Sequence, residues 1–423
     1  MSTNKNDFKN SVDAIDIAQL AKECYEGINE AEKNLGHVNI IIAGKTGVGK
    51  STLINAAFRE NLAEEGMGMP VTQYTSLIEK DGLPLRIYDT VGLELTEKTK
   101  QDTIQTIHQI IQDRLDEGDS DKFIHFMWYC VNSNSDRMEK PEQDLICEIS
   151  KKVPVILILT KSYLKKHARE FADILKGYKL PVKKICVVLA KSYEDDDFKV
   201  ESYGMREILL TTSEILPEEI KDAWINAQSD VELKNRRAME IVIQTIAMSF
   251  GVGFVPIPLS DIALLIPTEM IMITRITNIY GLQFTRNKIT KILLIMFSAT
   301  GAASAGFFLA KSLLKFIPGF GQTVGGVISG AAASAMTLTF GKTYIYIMEK
   351  IYTGEMSEDD FNVEKVREVM NGNIEIDATG EIRENEIHAD KQVDKNFHSI
   401  KKHAPKQSLV SKVISGIFSK FKR

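Results

Sequence analysis

The chain has 423 residues, 44% hydrophobic and 26% charged, enough to bury the cores of two or three domains. Its 52 Lys and Arg against 57 Asp and Glu leave a net charge of −5, which argues against a surface built for sequence-independent capture of nucleic acid, and no DNA partner is expected. Cys24, Cys130, Cys147 and Cys186 form no C-x-x-C pair and no zinc spacing, so reduced thiols in a cytoplasmic protein are expected; the polar stretch MSTNKNDFKN carries no secretory signal.

In chain order, residues 11–35 place Ile15, Ile17, Leu20, Ala21, Cys24, Ile28 and Leu35 at helical spacing, which predicts an amphipathic helix within an N-terminal segment, 1–35. Residues 36–215 then alternate short apolar runs with helical patterns, the mark of a mostly parallel α/β sheet, with strands expected at 38–43, 73–79, 84–88, 123–131, 153–159 and 183–189. At the end of the first strand lies GKTGVGKST, which fits G-x-x-x-x-G-K-[ST] with Gly44, Gly49, Lys50 and Ser51 in the fixed places. The strand-like HVNIIIAG precedes it and the helical STLINAAF follows, the context this loop needs to cradle phosphates. A nucleoside triphosphate would then meet Gly44, Lys45, Thr46, Gly47, Val48, Gly49, Lys50, Ser51 and Thr52. Lys50 would reach the β- and γ-phosphates, and the Ser51 hydroxyl would hold Mg²⁺.

The loop alone does not choose between ATP and GTP. Downstream, LRIYDTVGL puts Asp89 at the end of an apolar strand and completes D-x-x-G at Gly92. A carboxylate there can accept from a metal-bound water, and the Gly92 N–H can donate to the γ-phosphate. Between the motifs, PVTQYTS offers Thr72 as a hydroxyl and carbonyl for Mg²⁺, with Thr75 the competing candidate. The metal set is thus Ser51, Thr72 and Asp89, and the residues expected to act on the phosphates are Lys50, Thr72 and Gly92.

On these motifs, residues 36–215 resemble the Era-like, ribosome-binding type of small GTPase and its relatives among the immunity-related GTPases. The resemblance implies a P-loop GTPase domain, a six-stranded, mostly parallel sheet with flanking helices, that binds GTP and GDP with Mg²⁺. It makes Thr72 part of one switch loop and Asp89 the start of another. It also implies base contacts from Thr160 and Lys161, and from Ala190 and Lys191 in the family's final base-contacting loop. Two positions depart from that pattern. Tyr163 stands where the base-reading motif N/T-K-x-D has its aspartate, and Leu93 stands where Ras-like proteins carry the water-orienting glutamine. Leucine cannot polarise water, so slow intrinsic hydrolysis is expected, with acceleration of about 10³–10⁵ left to a residue from elsewhere. A homodimer across the nucleotide faces would be one source, as in relatives.

Residues 217–354 read as an all-α domain rich in Gly and Ala. The charge-free windows 241–260, 292–310 and 316–341 reach the ~20 residues of a bilayer-crossing helix, yet Pro256, Pro258 and many small residues suit a packed bundle equally. Residues 240–352 also resemble an uncharacterised C-terminal domain found on certain Era-like GTPases and bacterial membrane proteins, which raises the expectation of membrane contact there. Residues 355–394 read as an acidic linker, with twelve acidic against three basic side chains over 355–390. The last segment, 395–423, holds eight Lys or Arg and no acid. Within it a helix over 407–423 is expected to show Val410, Val413, Ile414, Ile417, Phe418 and Phe421 as one apolar stripe, suited to an anionic membrane or to docking on the protein itself. The whole reads as a cytoplasmic, membrane-associated nucleotide switch. A ribosome- or RNA-associated assembly factor and a non-hydrolysing scaffold are the competing readings.

Overall fold

The structure is a computed structural model that describes residues 17–59, 62, 69–72, 75–90, 99–195, 198–249, 268–300, 330–372, 375–376 and 382–383. Contacts divide the chain into two compact units, one of residues 35–230 and one that joins 1–34 to 231–423. Helix α1 (Ile17–Lys33) belongs to the second unit, although it opens the chain.

The 35–230 unit is built on a seven-stranded sheet. Its strands are β1 (Val38–Ala43), β2 (Met69–Thr72), β3 (Thr75–Glu79), β4 (Leu85–Thr90), β5 (Phe126–Asn132), β6 (Val155–Thr160) and β7 (Lys184–Val187), in the order β2-β3-β4-β1-β5-β6-β7. β4, β1, β5, β6 and β7 run parallel, while β3 is antiparallel to β4 and β2 to β3. The six expected strands are all present, and the short β2 adds an edge strand. β1 (VNIIIA) and β6 (VILILT) are buried along their whole length, as strands covered by helices on both faces must be.

One face packs against α3 (Lys100–Asp116), α4 (Lys140–Ile149) and α5 (Lys165–Gly177) through a core that includes Ile41, Tyr88, Met127, Ile107, Leu145 and Phe171. The other face carries α2 (Lys50–Ala57), α6 (Met205–Ile215) and α7 (Glu218–Ala227). There Phe58, Phe126, Trp128 and Trp224 interlock, with ring centroids 5.8–6.0 Å apart. Trp224 also donates from Nε1 to the Leu209 carbonyl at 3.2 Å. This cluster makes α7 part of the sheet unit. The division therefore falls after Asp230, where the change in composition at 216–217 had suggested an earlier one.

In the other unit, α1 packs on α9 (Thr268–Tyr280) and α10 (Arg286–Thr300), and α8 (Val231–Ser249) packs on α9 and α11 (Gly330–Tyr352). Gly341 lets α8 and α11 meet closely, because a Cβ there would lie 2.5 Å from Val242 Cγ2. Helix α12 (Val363–Gly372) lies on α10 and buries Val366 and Met370, while Lys288 and Lys291 pair with Glu358 and Asp359. That part of the expected linker is thus packed structure; its acidic side chains serve α10. No helix among the described residues is long and apolar enough to cross a membrane. Of the three charge-free windows, 241–249, 292–300 and 330–341 fall in α8, α10 and α11, and the remainder lies outside the described residues, as does the tail at 395–423.

Candidate functional site

In parallel α/β sheets the ligand crevice forms beyond the carboxyl ends of the strands, where the order reverses. Here that point is the end of β1, between β4 and β5. The chain leaves Ala43 into Gly44 at φ +146°, where a Cβ would stand 2.3 Å from the Cys130 carbonyl oxygen on β5. Only glycine fits against that backbone. Gly47 (φ +73°) and Gly49 (φ +103°) also take left-handed values, so the loop curls into the N-terminus of α2 with Gly49 as its cap. No side chain caps this helix. Its first N–H groups therefore have no intrahelical acceptor, and the exposed Thr46, Gly47, Ser51 and Thr52 surround them.

Lys50 is only 8% exposed, and its Nζ donates to the carbonyls of Gly44 at 2.8 Å and Lys45 at 3.4 Å. Lys45 points elsewhere, pairing with Glu139 at 3.0 Å and Glu142 at 3.5 Å at the start of α4, where Tyr129 also donates to Glu142. Sequence reading missed this anchor. The signal was the E-x-x-E of Glu139 and Glu142, which closes a capping box on α4.

Asp89 is the last residue but one of β4, opposite Ile42, and Ile42 in turn pairs with Trp128, so Asp89 lies on the α2 side of the sheet. Its Oδ1 is buried with no hydrogen-bond partner. Burial pushes its carboxyl above the usual carboxylate range, and the neighbouring Lys50 ammonium pulls it back. A buried carboxylate oxygen without a partner is the kind of oxygen donor that a hard divalent ion takes, with waters and nearby hydroxyls completing its ligands. Of the two threonines weighed from sequence, Thr75 pairs with Thr90 whereas its neighbour Ser76 pairs with Asp89. Thr75 therefore faces the side of the sheet away from Asp89, with its hydroxyl buried. Thr72 ends β2 and pairs with Thr75, after a register irregularity between Pro70 and Thr72, so strand register does not separate the two threonines; Gly92 and Leu93 lie outside the described residues.

Thr160 and Lys161 come to the same loop. The Thr160 hydroxyl lies 2.5 Å from the Val48 carbonyl and 3.1 Å from that of Val131. Lys161 takes φ +53°, and its stem runs 3.8 Å from where a Gly49 side chain would start. Ser133 and Asn134, which sequence reading did not single out, donate to the Lys161 carbonyl at 3.1 and 3.3 Å. Ala190 and the exposed Lys191 follow β7, after Leu189 pairs with Tyr203. Beyond them is an unexpected hairpin of β8 (Tyr193–Asp195) and β9 (Phe198–Val200).

Residues 39–161 match the family model of the 50S ribosome-binding GTPases, and residues 222–373 match one described as a domain of unknown function (DUF697). Magnetosome membrane protein 22 of Magnetospirillum gryphiswaldense is 28% identical over 108 residues, which are 26% of this chain and 55% of that protein. The tRNA modification GTPase MnmE of Bordetella petrii is 33% identical over 96 residues, 22% of this chain and 20% of that one. This chain thus spans about half the length of the first relative and a fifth of the second. Among solved structures, a probable GTP-binding protein engB matches at 19% identity and a TM-score of 0.31, over 42% of this chain and 98% of its own. The FeoB G-domain from Methanococcus jannaschii matches at 19% identity and a TM-score of 0.26, over 43% and 97%. The chain carries a GTPase domain of the ribosome-binding type, followed by a C-terminal domain of unknown function.

Proposed function

We propose that the 35–230 unit binds GTP and GDP and hydrolyses GTP slowly, as a switch for the helical unit. The observation that carries this reading is the unpartnered Asp89 Oδ1 beside buried Lys50, at the mouth of a loop bent by three left-handed glycines. The amides from Gly44 to Thr52 hold the phosphates, and Lys50, which now donates to loop carbonyls, turns to the β- and γ-oxygens. Ser51, Thr72 and Asp89 would hold Mg²⁺, which when bound neutralises charge between those phosphates. The Gly92 N–H donates to the γ-phosphate. With Leu93 next in the chain no side chain there orients water, which supports an intrinsic rate of about 10⁻³ s⁻¹ or slower. Lys161 lies along the base and Ala190–Lys191 close its edge.

The narrower kinship with Era-like and immunity-related GTPases, a homodimer across the nucleotide face, and a membrane-associated location through 240–352 and the 407–423 helix belong to the same reading. The name of the magnetosome membrane relative supports the last of these. A ribosome-assembly role draws support from the family's description. Titration of the full chain with fluorescent GTP and ATP, with and without Mg²⁺, tests the core claim. GTP should bind in Mg²⁺, and Lys50→Ala should bind it at least ~100-fold more weakly, since it loses a charge-assisted contact to phosphate. Equal and poor uptake by both proteins, each with an intact melting transition, refutes it.

A further inference from the structure

On the GTP reading, the base end of the site would lie beside Thr160 and Lys161. Thr160 is tied to Val48, the Lys161 stem runs beside Gly49, and the Ser162 N–H donates to the Val188 carbonyl at 3.3 Å. The Tyr203 hydroxyl donates to the Ser162 carbonyl at 2.7 Å, so the backbone that presents the next residue is held on three sides. That residue is Tyr163, half-buried, and its ring packs on Tyr193 with centroids 4.8 Å apart and planes inclined at 57°. Tyr193 comes from the hairpin that starts two residues after Lys191. The register Tyr193↔Val200 and Asp195↔Phe198 gathers those four side chains on one hairpin face, while Glu194 and Lys199 pair on the other at 3.7 Å. Tyr193 remains 38% exposed and Phe198 44%, and the Tyr193 hydroxyl donates to Asp195 Oδ2 at 3.1 Å. Two loops, after β6 and after β7, thus deliver an aromatic pair to the place beyond Lys161.

A carboxylate at position 163 would accept from both N1–H and the 2-amino group of guanine, and a site built that way rejects bases that lack those donors. Tyr163 offers a ring face and one hydroxyl instead. Ring faces stack on any base, with little regard for its edge substituents. We infer that the Tyr163–Tyr193 pair is the base-holding element of this site, gripping the purine by its face and leaving the substituent at position 2 unread. The inference rests on the GTP reading above. GTP, ITP and XTP, which differ at position 2 in carrying an amino group, a hydrogen or an oxygen, then bind within about threefold of one another.

Displacement of fluorescent GDP from the full-length protein by GTP, ITP and XTP tests this. The wild type should rank the three within threefold, Tyr193→Ala should weaken all three alike by about tenfold, and Tyr163→Asp should favour GTP over ITP by tenfold or more. The wild-type ranking needs no variant to fold. A wild-type preference for GTP over ITP of tenfold or more overturns the inference, as does unchanged binding by Tyr193→Ala. Loss of such a preference in Asp195→Asn would name that carboxylate as the reader and overturn it likewise. If the wild type holds no fluorescent GDP at all, the GTP reading falls and this inference with it. If the probe binds and GTP alone displaces it, only the inference falls.

Discussion

Gly44 and Gly47 sit three residues apart in the same loop, yet they answer to different constraints. Position 44 faces backbone: a Cβ would stand 2.3 Å from the Cys130 carbonyl, which can move only if β5 moves. Position 47 is left-handed but open, with nothing within 4 Å. Gly47→Ala should therefore cost about 1–2 kcal/mol, the strain of a non-glycine residue at positive φ. Gly44→Ala should cost about 1–3 kcal/mol on top of such strain, as an overpacked contact that shifts backbone. Urea unfolding of the two full-length variants measures both. Asp89 makes the opposite trade. Its folded pKa is raised above 3.8, so between that value and the raised one the folded state keeps a proton that the unfolded chain has lost. Stability contributed at this position thus falls as pH rises through that window and stays down at pH 7. Asp89→Asn, without nucleotide, should melt higher than wild type at pH 7 and level with it near pH 3.5, while losing at least tenfold in Mg²⁺-dependent GTP binding. A variant that melts lower than wild type at pH 7 would contradict the buried-charge argument.

Strands were legible where apolar residues run together. The Asn39–Ala43, Met127–Val131 and Val155–Leu159 runs belong to β1, β5 and β6, each buried on both faces. β2 (MPVT) escaped because Pro70 demotes a run to an edge, and β8 (YED) and β9 (FKV) because their pairing is largely polar and local. The phosphate loop was legible through spacing alone, whereas its supports at Glu139, Glu142, Ser133 and Asn134 depend on which loops the sheet brings together. Helix α7 (EEIKDAWINA) looked like the start of the helical half, since composition changes at its first residue. Trp224 decides otherwise, fully buried among Phe58, Phe126 and Trp128. Trp224→Ala should cost about 3–5 kcal/mol, the range for emptying a large aromatic site in a core, with a further loss because the Leu209 carbonyl gives up its donor. Equilibrium unfolding followed by far-ultraviolet circular dichroism measures it, and a cost below about 1 kcal/mol would return α7 to the periphery.

The question for the molecule as a whole is which residues could reach a membrane. Helices α8, α9 and α11 bury Lys234, Glu269, Arg275 and Lys342. Lys234 donates to the Ile279 carbonyl at 2.9 Å and sits 5.0 Å over the Tyr352 ring. A charge carried to the centre of a bilayer costs about 2.5–3.5 kcal/mol or more, so helices that spend their charges on protein partners are built to face protein. Membrane contact, as proposed, then falls to segments outside the described residues, and the 395–423 tail has the chemistry for it. At an anionic surface its eight cations would contribute about 1 kcal/mol each, and the apolar stripe expected of a helix over 407–423 would add burial below the headgroups. The full chain should co-sediment with vesicles rich in phosphatidylglycerol and bind neutral phosphatidylcholine vesicles at least tenfold less. Raising NaCl from 0.1 to about 0.5 M should release most of it, because the screening length then shrinks to a few ångströms. Deleting 395–423 should have the same effect as salt. Binding that survives both the deletion and the salt would assign the contact to the helical unit instead, and vesicle binding absent from the full chain would end the membrane reading.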